Sequence, residues 1–167
     1  MFFIPGEVIS VLTFPGVILH EYAHKKFCEL LGVQVYEVCY FRFGNPAGYV
    51  KHEPVRGYTQ AFLIDIAPFL LNTIVAFVIF LFAVHIFESY LQYFLYWLGI
   101  SIAMNAFPSS EDANNLWEYS KRAWRVTPLA LVGFPVVVLI KIANILSVVW
   151  FDLFYAIGLL ILAGGII

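Results

Sequence analysis

Apolar stretches separated by short polar ones dominate the sequence, and they cover residues 3–31, 58–87, 89–107 and 127–167. The uncharged run 66–84 is long enough to cross a bilayer, which takes about 20 helical residues. The last stretch is too long for one crossing, and Asn144 and Ser147 indicate a break between 141 and 152. The pattern therefore predicts an all-α polytopic membrane protein with a bundle of four to five transmembrane helices.

Proline and glycine interrupt the first apolar stretch at Pro5-Gly6 and Pro15-Gly16. Proline inside a helix removes a hydrogen bond and clashes with the preceding turn, so we expect a kink or a new helix start between residues 13 and 16. Leu31-Gly32 predicts the end of this helix, with Gly32 in the left-handed conformation just beyond it.

Residues 33–57 are rich in β-branched and aromatic side chains. The segment 33–43 is typical of a strand, Gly44-Asn45-Pro46 of a turn, and residues 48–53 of a returning strand. We expect a small β-hairpin at the membrane surface. Its open edge would accept an extended peptide as an added strand, and an ordinary amphipathic connector is the equal alternative.

The composition agrees with a membrane protein, because 62% of the 167 residues are hydrophobic and only 12% are charged. A soluble domain carries about 25% charged residues. The net charge is -2, and no basic run suggests nucleic acid as a partner. We predict one integral-membrane domain, residues 1–167, in contact with the lipid bilayer.

Basic residues predict the orientation of this domain. They follow the first and third apolar stretches, whereas the connector after the second has no Lys or Arg. By the positive-inside tendency the two basic loops are cytoplasmic and the N-terminus is outside. The polar segment 108–126 is then cytoplasmic. We expect no cleaved signal peptide, because cleavage after the first stretch would discard the histidines described next.

The motif H-E-x-x-H occupies residues 20–24. On a helix, His20 and His24 lie about 40° apart around the axis and one turn apart along it, so both imidazoles can reach one ion. Glu21 lies next to them as a base for a water molecule, as in zinc metalloproteases. Ionisable residues are costly at membrane depth, which favours a metal site over a chance match. Cys28 lies on the same face, and we interpret it as a small buried residue rather than a ligand.

A catalytic zinc needs a third protein ligand, which the segment after the third apolar stretch can supply. Asp112 is our choice and Glu111 is the alternative. Ser109 or Ser110 could alternatively be the N-cap of a following helix. The two acids would then lie in its first turn, where the helix dipole stabilises negative charge, without binding a metal.

Two polar residues of the second apolar stretch, Asp65 and Asn72, are further candidates. They lie seven positions apart, on nearly one helix face, and we expect both to point into the bundle. For Asn72 the alternative is hydrogen bonding between helices.

In order and topology these motifs resemble the site-2 protease group of intramembrane zinc metalloproteases. The residues that carry the resemblance are His20, Glu21 and His24, followed by Asn105, Pro108 and Asp112. The resemblance implies that His20, His24 and Asp112 bind zinc. Two details differ from the family pattern: Ala113 stands where glycine usually follows the aspartate, and the spacing from Asn105 is one residue shorter.

These observations lead to two functional hypotheses. The first is an intramembrane zinc metalloprotease that hydrolyses membrane-spanning protein substrates in or near the bilayer, with its active site toward the cytoplasmic side. Glu21 would activate water, and Asn105 or Asn72 would steady the oxyanion or the substrate strand. The alternative is a non-catalytic metal-binding membrane protein, either a pseudo-protease or a metal carrier.

Overall fold

The computed structural model describes residues 5–86 and 90–165. Within them it is 73% helical, with seven α-helices and one two-stranded sheet. The elements in chain order are α1 (Gly6–Leu12), α2 (Phe14–Leu30), β1 (Val35–Cys39), β2 (Tyr49–His52), α3 (Tyr58–Ala83), α4 (Tyr90–Met104), α5 (Ser110–Ala123), α6 (Pro128–Leu146), a 3-10 turn (Ser147–Val149) and α7 (Phe151–Gly165). The predicted helical class with a small hairpin is confirmed.

The expected helix start within the first apolar stretch is confirmed. Thr13 separates α1 from α2, and Pro15 lies in the first turn of α2, where its missing N–H leaves no hydrogen bond unmade. Gly32 follows the end of α2 with φ of 68°, the left-handed conformation predicted for it. The motif therefore lies in a helix that begins two turns before His20.

The hairpin is antiparallel and pairs Val38 with Val50 and Cys39 with Tyr49. Its strands are shorter than the predicted ones, and the pairing shifts between Val35 and Glu37. On the exposed side Glu37 accepts hydrogen bonds from Tyr49 and, at 2.7 Å, from Lys51.

Hydrogen bonds between helices show the direction in which α2, α3 and α4 run. The pairs His24–Ile64 and Gly16–Asn72 make α3 antiparallel to α2. The pairs Gly16–Ser101 and His20–Asn105 make α4 parallel to α2. The C-terminal end of α4 thus meets the middle of α2, and the C-terminal half of α2 lies along the N-terminal part of α3.

Gly16 allows the close approach of α2 to α4. A Cβ atom at this position would lie 2.0 Å from the backbone oxygen of Ser101, so any larger residue would push the two helices apart. One turn further along both helices, His20 meets the carbonyl of Asn105. The contact at Gly16 therefore helps to place the first histidine.

Two helices in the described residues are long and apolar enough to cross a membrane: α3, and the 22-residue segment Pro128–Val149. Only 33% and 28% of their most apolar windows are buried. Large side chains such as Phe82 (65% exposed) and Ile145 (71% exposed) cover their outer faces. A helix in the core of a soluble protein would instead bury most of this surface.

The break predicted within the last apolar stretch is confirmed. α6 ends at Leu146, a short 3-10 turn follows, and Trp150 adopts a left-handed conformation with φ of 65° before α7 begins. α7 then packs against α3 and α4.

The polar helix α5 packs its apolar side against α3 and α6. Leu116 is fully buried there with Tyr58, Ala130 and Val137. This packing holds the first turn of α5, which carries Asp112, over the N-terminal end of α3.

Candidate metal centre

His20, His24 and Asp112 meet at one point, where their potential ligand atoms all lie within 4.8 Å of one another. The two Nε2 atoms are 3.2 Å apart. Oδ2 of Asp112 lies 3.5 Å from Nε2 of His24 and 3.9 Å from Nε2 of His20. Two ligands at zinc-binding distance on a tetrahedron are about 3.3 Å apart, so the group can hold an ion of this size with little adjustment.

Backbone carbonyls fix the orientation of both imidazole rings. Nδ1 of His20 lies 2.9 Å from the oxygen of Asn105, and Nδ1 of His24 lies 2.9 Å from the oxygen of Ile64. A carbonyl oxygen only accepts, so each Nδ1 carries the ring proton and donates it. Both Nε2 lone pairs then face the Asp112 carboxylate, and three such acceptors need a cation or a proton between them.

Asp112 acts in a helix cap as well as in this group. Ser109 is the N-cap of α5, and its hydroxyl accepts a hydrogen bond from the Asp112 N–H at 3.1 Å. In return Oδ2 of Asp112 accepts from the Ser109 N–H at 2.7 Å. From the sequence, Asp112 was either a metal ligand or simply a favourable acid in the first turn of a helix. The geometry allows its carboxylate to do both. Glu111 is exposed and lies outside the ligand group.

Electrostatics favour a charged Asp112. Burial alone would raise the pKa of this carboxyl, but a proton on the Nε2 atom of His24, the neighbouring His20 and the Ser109 N–H together hold the pKa well below its ordinary value. The side chain is therefore an anion at neutral pH, as a metal ligand must be.

Glu21 is 8% exposed and lies in the wall of the same cavity. The hairpin covers it closely, because a Cβ atom on Gly48 would lie 2.6 Å from Cγ of Glu21 and 3.0 Å from Oε1. Among the residues the structure describes, no side chain or backbone group hydrogen-bonds its carboxylate. This carboxylate is thus near the histidines and free to bind a water or a substrate group.

Asn72 and Asn105 form hydrogen bonds that support the position of His20. Nδ2 of Asn72 donates to the backbone oxygen of Asn105 at 2.9 Å, the same oxygen that orients His20. Nδ2 of Asn105 donates to Ser101 at 2.9 Å and to the Thr13 hydroxyl at 3.0 Å. Interhelical bonding was the alternative for Asn72, and the contacts agree with it. An oxyanion role for either amide stays a prediction.

Asp65 and Asn115 form a polar contact next to the three ligands. Asp65 is 3% exposed, as expected for a residue pointing into the bundle. Nδ2 of Asn115 lies 3.1 Å and 3.3 Å from its two carboxylate oxygens. Sequence reasoning missed Asn115, although its position three residues after Asp112 on a helix places both on one face.

Cys28 and His52 lie outside the ligand group. Cys28 is fully buried with Val33 and Ile64, which confirms its interpretation as a small core residue. His52 lines the cavity, but its Nδ1 lies 2.7 Å from the backbone oxygen of Glu53.

An open cavity of about 810 Å³ contains the three ligands and Glu21. The hairpin residues 45–50 form one side of it, and α2, α3 and α5 form the base. The break between α6 and α7 contributes the remaining side. The cavity is large enough for several residues of an extended peptide.

Comparisons with protein-family models, with curated proteins and with solved structures gave no match.

Proposed function

We propose that the protein is an integral-membrane zinc endopeptidase that cuts membrane-protein substrates in or near the bilayer. The observation that supports this most directly is the meeting of His20, His24 and Asp112, with the buried carboxylate of Glu21 in the same cavity. The proposed zinc site has two imidazoles and one carboxylate, a ligand set known from zinc hydrolases that leave one position open for the reaction.

The choice of zinc follows from the ligands and their support. Imidazole nitrogen and carboxylate oxygen at these separations suit tetrahedral zinc. The carbonyls of Asn105 and Ile64 act on the histidines in the way that outer hydrogen-bond partners orient zinc ligands. Bound zinc would supply a Lewis acid that polarises the scissile carbonyl and lowers the pKa of water.

In the proposed reaction Glu21 is the general base. Its carboxylate takes a proton from the attacking water and passes it to the nitrogen of the leaving amine when the peptide bond breaks. The hairpin packs closely against Glu21 at Gly48 and so restrains its carboxylate beside the three ligands. The amides of Asn72 and Asn105 contribute by positioning His20.

The exposed apolar surfaces of α3 and α6 support a bilayer location. We propose four or five crossings, with the metal centre near the cytoplasmic ends of α2 and α4. A membrane-spanning substrate helix must unwind locally, since all its amides are otherwise paired. The edge of the hairpin beside the cavity offers backbone groups to such an extended segment.

The order of the motifs along the chain also supports a protease. The resemblance to the site-2 protease group implies zinc binding by the same three residues that the fold brings together. A metal carrier would need ligands spread along a path through the membrane, whereas the ligand atoms of these three residues lie within 4.8 Å of one another.

The test compares the wild type with the Glu21→Gln variant, both reconstituted in vesicles with single-span protein substrates. We expect both to hold about one zinc per chain by elemental analysis. The variant should cleave at least about 100-fold more slowly, because it lacks the base.

Glu118→Gln, which changes an exposed acid of α5, is the control and should keep both properties. Undiminished cleavage by Glu21→Gln would remove Glu21 from the reaction. A zinc-loaded wild type that transports zinc into vesicles and cuts nothing would favour the carrier.

A further inference from the structure

The last apolar stretch contains a polar group that the proposed reaction does not use. Residues 128–165 carry few polar side chains, and Asn144, Ser147 and Asp152 are three of them. All three line the cavity of the metal centre. Polar side chains are costly in such a segment, so their arrival at one cavity points to a function.

The helix break between α6 and α7 brings these residues together. α6 ends at Leu146, and the left-handed Trp150 turns the chain before α7 begins at Phe151. Asn144 thus comes from the last turn of α6 and Asp152 from the first turn of α7. The hydroxyl of Ser147 lies 3.1 Å from Oδ1 of Asp152 and joins the two sides.

Two polar side chains of this group, Asn144 and Asp152, lack a complete set of partners among the described residues. Nδ2 of Asn144 is buried and has no hydrogen-bond partner among the residues that the structure describes. Asp152 accepts from Ser147 through one oxygen, and within residues 5–86 and 90–165 no Lys or Arg forms an ion pair with it. A buried amide donor without a partner is costly, and a ligand carbonyl would satisfy it once the Asn144 side chain turns toward the cavity that it lines.

The charge of the cavity indicates what kind of ligand this is. Its described lining includes five acidic residues and no Lys or Arg; the acids are Glu21, Asp65, Glu111, Asp112 and Asp152. Asp112 belongs to the metal group, Asp65 is held by Asn115, and Glu111 is at the surface. Asp152 is the partly buried acid that remains for a substrate, and a cation complements it.

We propose that Asp152 and Asn144 form a specificity subsite for a Lys or Arg residue of the substrate. The Asp152 carboxylate pairs with the basic side chain, and the Asn144 amide donates to a backbone carbonyl of the same peptide. This subsite rests on the proposed protease function, since it lies in the wall of that cavity. It adds a substrate class to that function: peptides with a basic residue near the bond that is cut.

Peptide mixtures randomised over eight positions test the proposal, with the cleavage products sequenced by mass spectrometry. Wild-type protein should enrich Lys and Arg at one fixed distance from the cut. For a matched pair of peptides with Arg or Gln at that position, Asp152→Asn should reduce the kcat/KM ratio by at least about tenfold. Asp152→Lys should turn the preference toward Glu.

A binding measurement gives a readout that does not need turnover. Zinc-loaded Glu21→Gln protein should bind the Arg peptide about tenfold more tightly than the Gln peptide, by fluorescence anisotropy. Adding Asp152→Asn should abolish this difference, and adding Glu118→Gln as a control should leave it intact.

The outcomes separate the subsite from the protease. Cleavage that depends on Glu21 but shows no basic preference, or a preference that survives Asp152→Asn, overturns the subsite alone. A zinc-loaded wild type that cuts neither these peptides nor the single-span substrates in vesicles overturns the protease function, and the subsite with it. Cleavage of single-span substrates with equal binding of the Arg and Gln peptides overturns the subsite alone.

Discussion

At the scale of single residues, Asp112 combines two tasks in one carboxylate. Its Oδ2 accepts the N–H of Ser109 and also faces both histidines. A carboxylate held by a helix cap loses little further freedom when it binds an ion, so the cap would prepare Asp112 for the proposed metal. The same arrangement makes the two tasks separable by mutation.

Asp112→Asn should separate ligation from capping. The asparagine oxygen can still accept the Ser109 N–H, but the anionic ligand is lost. We expect the zinc affinity to fall by more than about 100-fold, since removing a ligand should cost more than removing a supporting contact. The helix content should stay unchanged. Chelator competition measures the affinity and circular dichroism the helix.

The neighbouring acid provides the control for this prediction. Glu111→Gln changes an exposed carboxylate one position away and should leave zinc binding as it is. If Glu111→Gln released zinc and Asp112→Asn did not, the two acids would have been assigned the wrong way round.

The spacing of side chains in the sequence predicted most residues of the candidate metal centre. Two histidines one helical turn apart with Glu21 beside them, and Asp112 far along the chain, are visible in the sequence. The carbonyls of Asn105 and Ile64 are not, because every residue has a carbonyl and only the packing of α2 against α3 and α4 selects these two.

At the scale of elements, the hairpin and α2 meet at Gly48. A Cβ atom there would lie 2.6 Å from Cγ of Glu21, so Gly48→Ala must displace the hairpin or the carboxylate. A displacement of about 1 Å can cost roughly 100-fold in rate, and we expect a loss of that order in cleavage. Zinc content should be unchanged, because the three atoms nearest to such a Cβ belong to Glu21 and Cys39 and to none of the proposed ligands.

Gly57→Ala is the matched control for the hairpin, since a Cβ atom on Gly57 meets nothing within 4 Å. It should cleave like the wild type. A Gly48→Ala variant with full activity would show that the hairpin does not restrain Glu21.

The contact between α3 and α5 gives a second prediction at this scale. Asn115→Asp would place a second carboxylate about 3 Å from that of the buried Asp65, beside His24. We expect the repulsion to move α5 and its Asp112, and to lower the zinc affinity about 10-fold to 100-fold. Chelator competition again provides the measurement.

Exchanging the two partners should restore the contact. The double variant Asn115→Asp with Asp65→Asn reverses donor and acceptor, so zinc affinity should recover toward that of the wild type. Asn114→Asp, a change at an exposed neighbour, should have little effect. A double variant as weak as the single one would mean that this contact does not position Asp112.

Local signals predicted the boundaries of elements but not their neighbours. Pro15 and Gly32 marked both ends of α2, and the polar residues Asn144 and Ser147 marked the break after α6. That this break returns to the metal centre depends on how α7 packs against α3 and α4. No local pattern at residues 144–152 encodes that packing.

At the scale of the whole molecule, the helix directions agree with the distribution of charge. α2 and α4 are parallel, α3 is antiparallel to both, and the candidate metal centre lies beside the C-terminal end of α4 and in the middle of α2. Lys25 and Lys26 near the end of α2, and Lys121 and Arg122 on α5, lie on elements at this same end. The connector after α3, at the opposite end, has no Lys or Arg.

This agreement predicts that the hairpin and α5 face the cytoplasm and that the connector after α3 faces outward. Single cysteines at the exposed positions Lys51, Lys121 and His85 test it, in a background with Cys39→Ala that keeps the fully buried Cys28. A membrane-impermeant maleimide added to intact cells should label only His85→Cys. Lys51→Cys and Lys121→Cys should react after permeabilisation.

The alternative labelling patterns distinguish orientation from crossing. If intact cells label Lys51→Cys and Lys121→Cys but not His85→Cys, the protein has the opposite orientation. α3 would still cross the membrane, because its two ends would lie on opposite sides. Equal labelling of 51 and 85 from one side would mean that α3 does not cross the bilayer. The substrate would then have to reach Glu21 from water, and the exposed apolar faces of α3 and α6 would require a protein partner in place of lipid.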